Sequence, residues 1–356
     1  MSPNILITGA AGYIGGSILA DFLARSDSLI EKNNISAAVR SEEQANILSK
    51  LGINVLKLDL TDEKAVVEGL LSNNITIVIH CASSLDQAQA LHLITALGKQ
   101  QEATGEKTYF IHTSGLGAFV EKTGWPPGET KDTGPVFSVE KELADSFATR
   151  KTDVAVIEHS KAQGVTSFII IPCTVYGRGT GEWNQLSVKI PIWIQGSISQ
   201  KAVYKFPEDT KVSGVNISDL TALYSQIVKK IVQKETIPSG EEGYYFALAH
   251  EIVWSEALQH LAIALKARGL VTDSKIQIWT SDEAAAESLG VPAPFVQVLF
   301  NADENIVAEN VHKIGWKPVW TYERFLQNID DQIQDVVDLG KAKSSLVDSL
   351  FAAVRG

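Results

Sequence analysis

Asn4-Ile5-Leu6-Ile7-Thr8-Gly9-Ala10-Ala11-Gly12-Tyr13-Ile14-Gly15 is the stretch on which the reading of this chain turns. It opens with a short apolar run that reads as a β-strand and passes through a glycine-rich turn. It continues into Gly16-Ser17-Ile18-Leu19-Ala20-Asp21-Phe22-Leu23, where apolar residues recur at helical spacing. Strand, glycine turn and helix in that order form a cradle for phosphate. Gly9 permits the sharp turn, Gly12 lets backbone approach a pyrophosphate, and Gly15 lets the helix pack on the strand. The helix N-terminus then offers free N–H groups and a positive dipole end to the anion. The strand before and the helix after supply the context that a bare glycine pattern lacks.

Outward from this turn, apolar runs at 4–8, 35–39, 54–58, 76–80, 108–113 and 167–171 alternate with helical stretches. Near-continuous apolar strands between helices predict a parallel sheet covered on both faces, here an α/β doubly wound (Rossmann) sheet. Beyond Pro172 the alternation stops, and helices are expected over 218–233, 254–268 and 322–338. The expected division is a dinucleotide-binding domain over 1–180 and a smaller C-terminal substrate lobe over 181–356, with some elements returning to the sheet. The 356 residues suffice for both.

A hydrophobic fraction of 45% with 21% charged residues is that of a globular chain, and a net charge of −11 argues against a nucleic-acid surface. Cys81 and Cys173 are both expected in buried strands as reduced thiols of a cytoplasmic protein. No metal-ligand spacing, repeat, signal peptide or membrane-spanning stretch is read from the sequence.

The G-x-x-G-x-x-G spacing with Thr8 in front resembles the cofactor motif of the extended short-chain dehydrogenases/reductases, which include epimerase/dehydratase-like and NmrA-like relatives. Four further segments resemble that family. They are Asp59-Leu60 after the third strand, His80-Cys81-Ala82-Ser83 after the fourth, Pro172-Cys173-Thr174-Val175-Tyr176-Gly177 after the sixth, and Ile314-Gly315-Trp316-Lys317-Pro318 near the end. Val215-Asn216-Ile217-Ser218-Asp219-Leu220 is similar to its C-terminal strand–helix corner. The resemblance implies that Gly9, Gly12, Tyr13, Ile14 and Gly15 hold the pyrophosphate. It also implies that Asp59 and Leu60 meet the adenine, Ala82 the ribose, and Pro172 and Thr174 the nicotinamide.

An acidic residue closing the second strand would favour NAD by bonding the ribose 2′-hydroxyl. This chain has Arg40, whose guanidinium suits a 2′-phosphate, so NADP(H) is the expected cofactor. The family's catalytic Tyr-x-x-x-Lys does not occur, since none of the eight tyrosines is followed by lysine four residues on. Phe137…Lys141 and Phe147…Lys151 are the near-matches, the second at the better distance from the sixth strand. Phenylalanine has no proton to exchange. Ser114, Lys151 and Tyr176 are therefore the candidate catalytic residues. Read structurally, they are a turn-capping serine, a surface lysine and a packing tyrosine.

Trp183, Asn184 and Trp193 follow the nicotinamide loop and are the candidate substrate residues, unless the indoles are core. Segments 115–117 and 124–128 are candidates for a lid. Three functions remain open. The first is an NADPH-dependent reductase of a small, moderately hydrophobic carbonyl, imine or activated alkene. The second is a non-redox isomerase, cyclase or lyase that keeps the cofactor. The third is an NmrA-like dinucleotide sensor. The expected partner is a small molecule, without nucleic acid or membrane, and the chain is expected as a monomer or homodimer.

Overall fold

In a computed structural model, which describes residues 3–25, 30–343 and 350–351, the alternating pattern becomes a seven-stranded sheet. The first half runs β1 (Asn4–Thr8), α1 (Tyr13–Ala24), β2 (Ile35–Val39), α2 (Glu42–Ser49), β3 (Asn54–Lys57), α3 (Glu63–Ser72), β4 (Ile75–His80), α4 (Gln87–Thr104) and β5 (Tyr109–Thr113). It continues through α5 (Val136–Glu142) and α6 (Ala148–Ala162) to β6 (Thr166–Pro172). Every residue of β2 and β4 is buried, as strands covered on both faces require.

The helices announce their own starts. Ser41, Asp62 and Asp86 each accept a backbone N–H of the first turn, capping α2, α3 and α4. The first helix, α1, has Gly12 as its N-cap, with no side-chain cap and no acidic residue in the first turn; α5 and α6 also start without either.

The C-terminal half supplies β7 (Thr174–Tyr176), α7 (Lys189–Gln200), β8 (Lys211–Asn216), α8 (Ile217–Val232), β9 (Tyr244–Ala247), β10 (His250–Val253) and α9 (Trp254–Ala267). The sheet order is β9-β6-β5-β4-β1-β2-β3, parallel throughout. The six strands read from the sequence are all present. The seventh, β9, is four residues long, too short to carry a period, and its place is fixed by pairing with β6. The order reverses between β1 and β4, so a crevice opens at their carboxyl ends, where the glycine turn lies.

A small sheet sets β8 between β7, parallel, and β10, antiparallel. Two hydrophobic cores result. One surrounds the large sheet and takes in α8 and β9; the other joins α7, β10 and α9 with Phe300, Phe325 and Ile333.

Three expectations are corrected. The helix read over 322–338 is two helices, Tyr322–Gln327 and Ile329–Leu339, broken at Asn328. Neither cysteine lies within a strand: Cys81 follows β4, and Cys173 sits between β6 and β7. Trp193 walls no cleft. It is fully packed in the second core, its Nε1 donating to the Tyr204 carbonyl at 3.0 Å and its ring lying 5.0 Å from that of Trp254.

Candidate functional site

The turn after β1 has no room for a side chain. Gly9 has φ +65°, and a Cβ on it would lie 2.5 Å from the Cys81 carbonyl oxygen, at the end of β4. A Cβ on Gly15 would lie 2.4 Å from the Gly9 carbonyl oxygen. Backbone meets backbone here, and only glycine allows it. The Gly12 N–H donates to the Gly9 carbonyl at 2.7 Å. Among the described residues, the N–H groups of Tyr13, Ile14 and Gly15 have no acceptor. Uncapped and with no acidic residue in the first turn, they are groups that could hold an anion, by the ordinary physics of helix ends.

A second loop is locked to this cradle. The Tyr13 hydroxyl donates to the Gly177 carbonyl at 2.8 Å, and the Thr180 N–H donates to Ser17 Oγ at 3.2 Å. Gly181 packs so closely on Gly16 that a Cβ would meet it at 2.9 Å. The glycine turn and the loop after β7 are therefore packed directly on each other.

Along the rim, Arg40 follows β2 with its side chain exposed; among the described residues its backbone N–H donates to Gln44 Oε1. Asp59 is exposed after β3, and the Thr61 N–H and hydroxyl both donate to its Oδ1, which holds its carboxyl below the usual range. Leu60 is buried, its carbonyl bonded to His92 Nδ1. Ala82 lies against Gly9. Pro172 ends β6, and Thr174 Oγ1 accepts from Lys189 Nζ at 3.4 Å. Burial lowers the Lys189 pKa. It raises that of nearby Glu304 to about 7, despite the lysine and the Ser213 N–H that bonds it. Neither Lys189 nor Glu304 was singled out in the sequence, where each is one charge among many.

Ser114, one residue past β5, is buried, with its N–H on the Ile170 carbonyl. Its hydroxyl donates to Asp153 Oδ2 at 2.5 Å. Asp153, on α6, is fully buried, and its Oδ1 lies 3.3 Å from His112 Nε2. Glu140, on α5, is also fully buried and accepts the Tyr244 hydroxyl at 2.6 Å. His112 stacks on His80, whose pKa falls to about 3 through burial and its histidine neighbour. Asp153 and Glu140 escaped the sequence reading because charged residues on helices are normally solvated.

The structure does not bring Lys151 or Tyr176 to Ser114. Lys151 is exposed and paired with Asp145 at 3.0 Å. Tyr176 is fully buried in the second core, its hydroxyl on His250 Nε2 at 2.8 Å. Phe147 is the N-cap of α6, and its para carbon lies against Gly117. Asn184 is buried and accepts the N–H groups of Leu186 and Lys343; the Lys343 ammonium sits 4.3 Å over the Trp183 ring. Both residues thus meet the C-terminal segment.

Residues between the two glycine segments read as a lid are held to the body. Arg150, with no exposed surface, donates to the carbonyls of Ala118 and Thr123 and to the hydroxyls of Ser146 and Thr123. Trp125 is buried beside it. Among the described residues no group of metal-ligating side chains occurs, and no helix is long and apolar enough to cross a membrane.

Residues 5–236 match the NAD dependent epimerase/dehydratase family. A curated relative, "Oxidase ucsJ" of Acremonium sp, is 24% identical over 345 residues, covering 90% of this chain and 94% of its own. Among solved structures, the UDP-glucose 4-epimerase of Thermotoga maritima superposes with a TM-score of 0.62 at 14% identity, covering 94% of this chain and 99% of that one. The dTDP-glucose 4,6-dehydratase of Bacillus anthracis in complex with NAD gives 0.63 at 13% identity, covering 95% and 97%. At these identities the superpositions establish the fold.

Proposed function

We propose that this chain, which belongs to the NAD-dependent epimerase/dehydratase family, is an NADPH-dependent reductase of a small, moderately hydrophobic carbonyl, imine or activated-alkene compound. The observation that carries the reading is the uncapped start of α1. It lies at the switch point of the sheet, packed on the loop after β7, with Ser114 one residue past β5, the strand next to β4.

The residues fit a dinucleotide. Gly9, Gly12, Tyr13, Ile14 and Gly15 would take the pyrophosphate on free N–H groups. Asp59 and Leu60 would bound the adenine, Ala82 the ribose, and Pro172 and Thr174 the nicotinamide. The exposed Arg40 guanidinium supports NADP over NAD, because it can hold a 2′-phosphate by two parallel charge-assisted bonds. The cofactor, when bound, supplies a hydride. Ser114 would orient the substrate oxygen by a hydrogen bond and give it a proton. Trp183 and Asn184 would act through the segment they hold. The free thiols Cys81 and Cys173 support a reducing, cytoplasmic setting.

The test is loss of NADPH absorbance with a panel of aldehydes, ketones, imines and conjugated alkenes. Tight NADPH binding with no oxidation by any of them would refute the reductase reading. A second reading has its own observation in favour. Lys151 faces solvent and Phe147 faces Gly117, so no tyrosine–lysine pair serves the site. That arrangement suits an isomerase, cyclase or lyase that retains the dinucleotide, which would yield product with no net change in its redox state.

A further inference from the structure

The loop over 177–186, between β7 and α7, is gripped on two sides. Its inner side meets the start of α1. The Tyr13 hydroxyl donates to the Gly177 carbonyl at 2.8 Å, and the Tyr13 ring packs so closely on Gly179 that a Cβ there would lie 2.8 Å from it. Tyr13 also carries one of the N–H groups left free at the glycine turn. The outer side of the loop meets the C-terminal part of the chain. Asn184 Oδ1 accepts the Lys343 N–H at 3.1 Å, and the Lys343 ammonium sits 4.3 Å over the Trp183 ring. Arg178 Nη1 lies 3.2 Å from Asp335 Oδ1, on the helix Ile329–Leu339. Gly340 closes that helix, and its carbonyl accepts from Gln195 Nε2, on α7, at 2.6 Å.

The loop contains no helix or strand. Within it, the Gly179 N–H donates to the Gln185 carbonyl, and Gln185 Nε2 donates to the Gly181 carbonyl. A segment with few bonds of its own takes its position from what holds it on either side. Where the outer grip is lost, the loop gains freedom. A ligand that needs the loop ordered must then remove that freedom on binding. Asn184 is the centre of the outer grip. It is buried, and its one carbonyl oxygen accepts both the Leu186 N–H, inside the loop, and the Lys343 N–H, outside it.

We propose that residues 340–343 are a clasp on the dinucleotide site: by holding the 177–186 loop against Tyr13, they set how tightly and for how long the cofactor is kept. Trp183, Asn184 and Lys343 are then positioning residues, acting on the free N–H groups of α1 through the loop and the Tyr13 side chain. The inference rests on the dinucleotide part of the proposed function and is independent of whether the hydride is used. Coupling between two sites is reciprocal, so a bound dinucleotide also steadies the clasp.

The experiment uses the full chain with NADPH. Fluorescence titration gives the Kd, and stopped-flow displacement gives the dissociation rate. Asn184→Ala and Lys343→Pro should each weaken NADPH by about fivefold, the worth of one neutral hydrogen bond, chiefly through faster dissociation. Lys343→Pro deletes the donor at an exposed position, so it remains informative if Asn184→Ala does not fold. Arg268→Ala is the control. It removes a contact to Asp330 on the same helix that does not involve the loop, and NADPH affinity should not change. The second readout needs no turnover: tryptic cleavage after Lys341 and Lys343, followed by mass spectrometry. NADPH should slow this cleavage severalfold in wild type and less in Asn184→Ala. Unchanged NADPH affinity in both clasp variants overturns the proposal. So does cleavage that NADPH does not slow, or a loss in Arg268→Ala equal to that in the clasp variants. In each of these cases the dinucleotide reading stands. Wild type that binds neither NADPH nor NADH overturns the dinucleotide reading, and the clasp with it.

Discussion

Replacing Gly9 by alanine tests the cradle at its tightest point. Two costs separate cleanly. A left-handed φ of +65° costs an L-residue about 1–2 kcal/mol. The new Cβ would also sit 2.5 Å from the Cys81 carbonyl oxygen and 2.6 Å from its carbon. Those are main-chain atoms at the end of a buried central strand, so no rotamer change relieves the clash. Overpacking of this kind adds about 1–3 kcal/mol. The expected destabilisation is therefore about 2–5 kcal/mol. For a chain of this size, that is a fall in Tm of roughly 3–7 °C.

Gly105→Ala is the internal control. Its φ of +73° carries the same conformational cost, but nothing lies within 4 Å of its Cβ position. The difference between the two variants is the clash alone. Calorimetry gives the stability term and NADPH fluorescence titration gives the binding term. Moving the turn displaces the free N–H groups of α1, so Gly9→Ala should also weaken NADPH by tenfold or more, and Gly105→Ala should not. If Gly9→Ala costs no more stability than Gly105→Ala and binds NADPH as wild type does, the glycine turn is not the phosphate cradle.

The remaining tests are shorter. Arg40→Asp should weaken NADPH by on the order of 100-fold, through loss of a bidentate charge-assisted contact and new repulsion, while NADH changes little; equal losses would remove the case for NADP. Arg150→Met should lower stability by about 3–5 kcal/mol in urea unfolding, because the Ala118 and Thr123 carbonyls lose their buried donor; Arg150→Lys should recover only part, as an ammonium cannot reproduce the fork. Burial raises the Glu140 carboxyl well above its ordinary pKa in the fold, whereas in the unfolded chain it ionises at that ordinary value, so it makes stability fall as pH rises above the ordinary carboxylate range. Glu140→Gln should flatten that slope by up to about 1.4 kcal/mol per pH unit, and an unchanged slope would contradict a buried neutral acid. His80 works in the opposite sense: with its folded pKa at about 3, it should make stability fall as pH drops below about 6.5. His80→Asn should reduce that acid-side loss in denaturation curves. Phe147→Tyr should give no gain in reductase turnover, because the new hydroxyl would meet Gly117 and not Ser114.

The sheet and its glycine turn were legible in the sequence for a simple reason. Strands buried on both faces must be apolar along their whole length, so β1 to β6 are written as unbroken runs. The glycine turn shows itself as a local pattern: Gly15 is dictated by backbone a few residues away, although Gly9 is also constrained by the end of β4. The short edge strand β9 has no such signature, because a long-range pairing creates it.

Roles that depend on burial were beyond the sequence. Lys151 and Asp153 are both charged residues near the start of α6, and nothing local separates them. Tertiary packing turns one to solvent beside Asp145 and closes the other into the core under Ser114. The same holds for Trp193 and Tyr176, which composition offers equally to a cleft or to a core. The sequence by itself determined where a dinucleotide phosphate can sit, because that depends on the space around a few neighbouring backbone atoms. The tertiary structure alone decided which charged groups are buried and which stay in water, because that depends on packing between elements far apart in sequence.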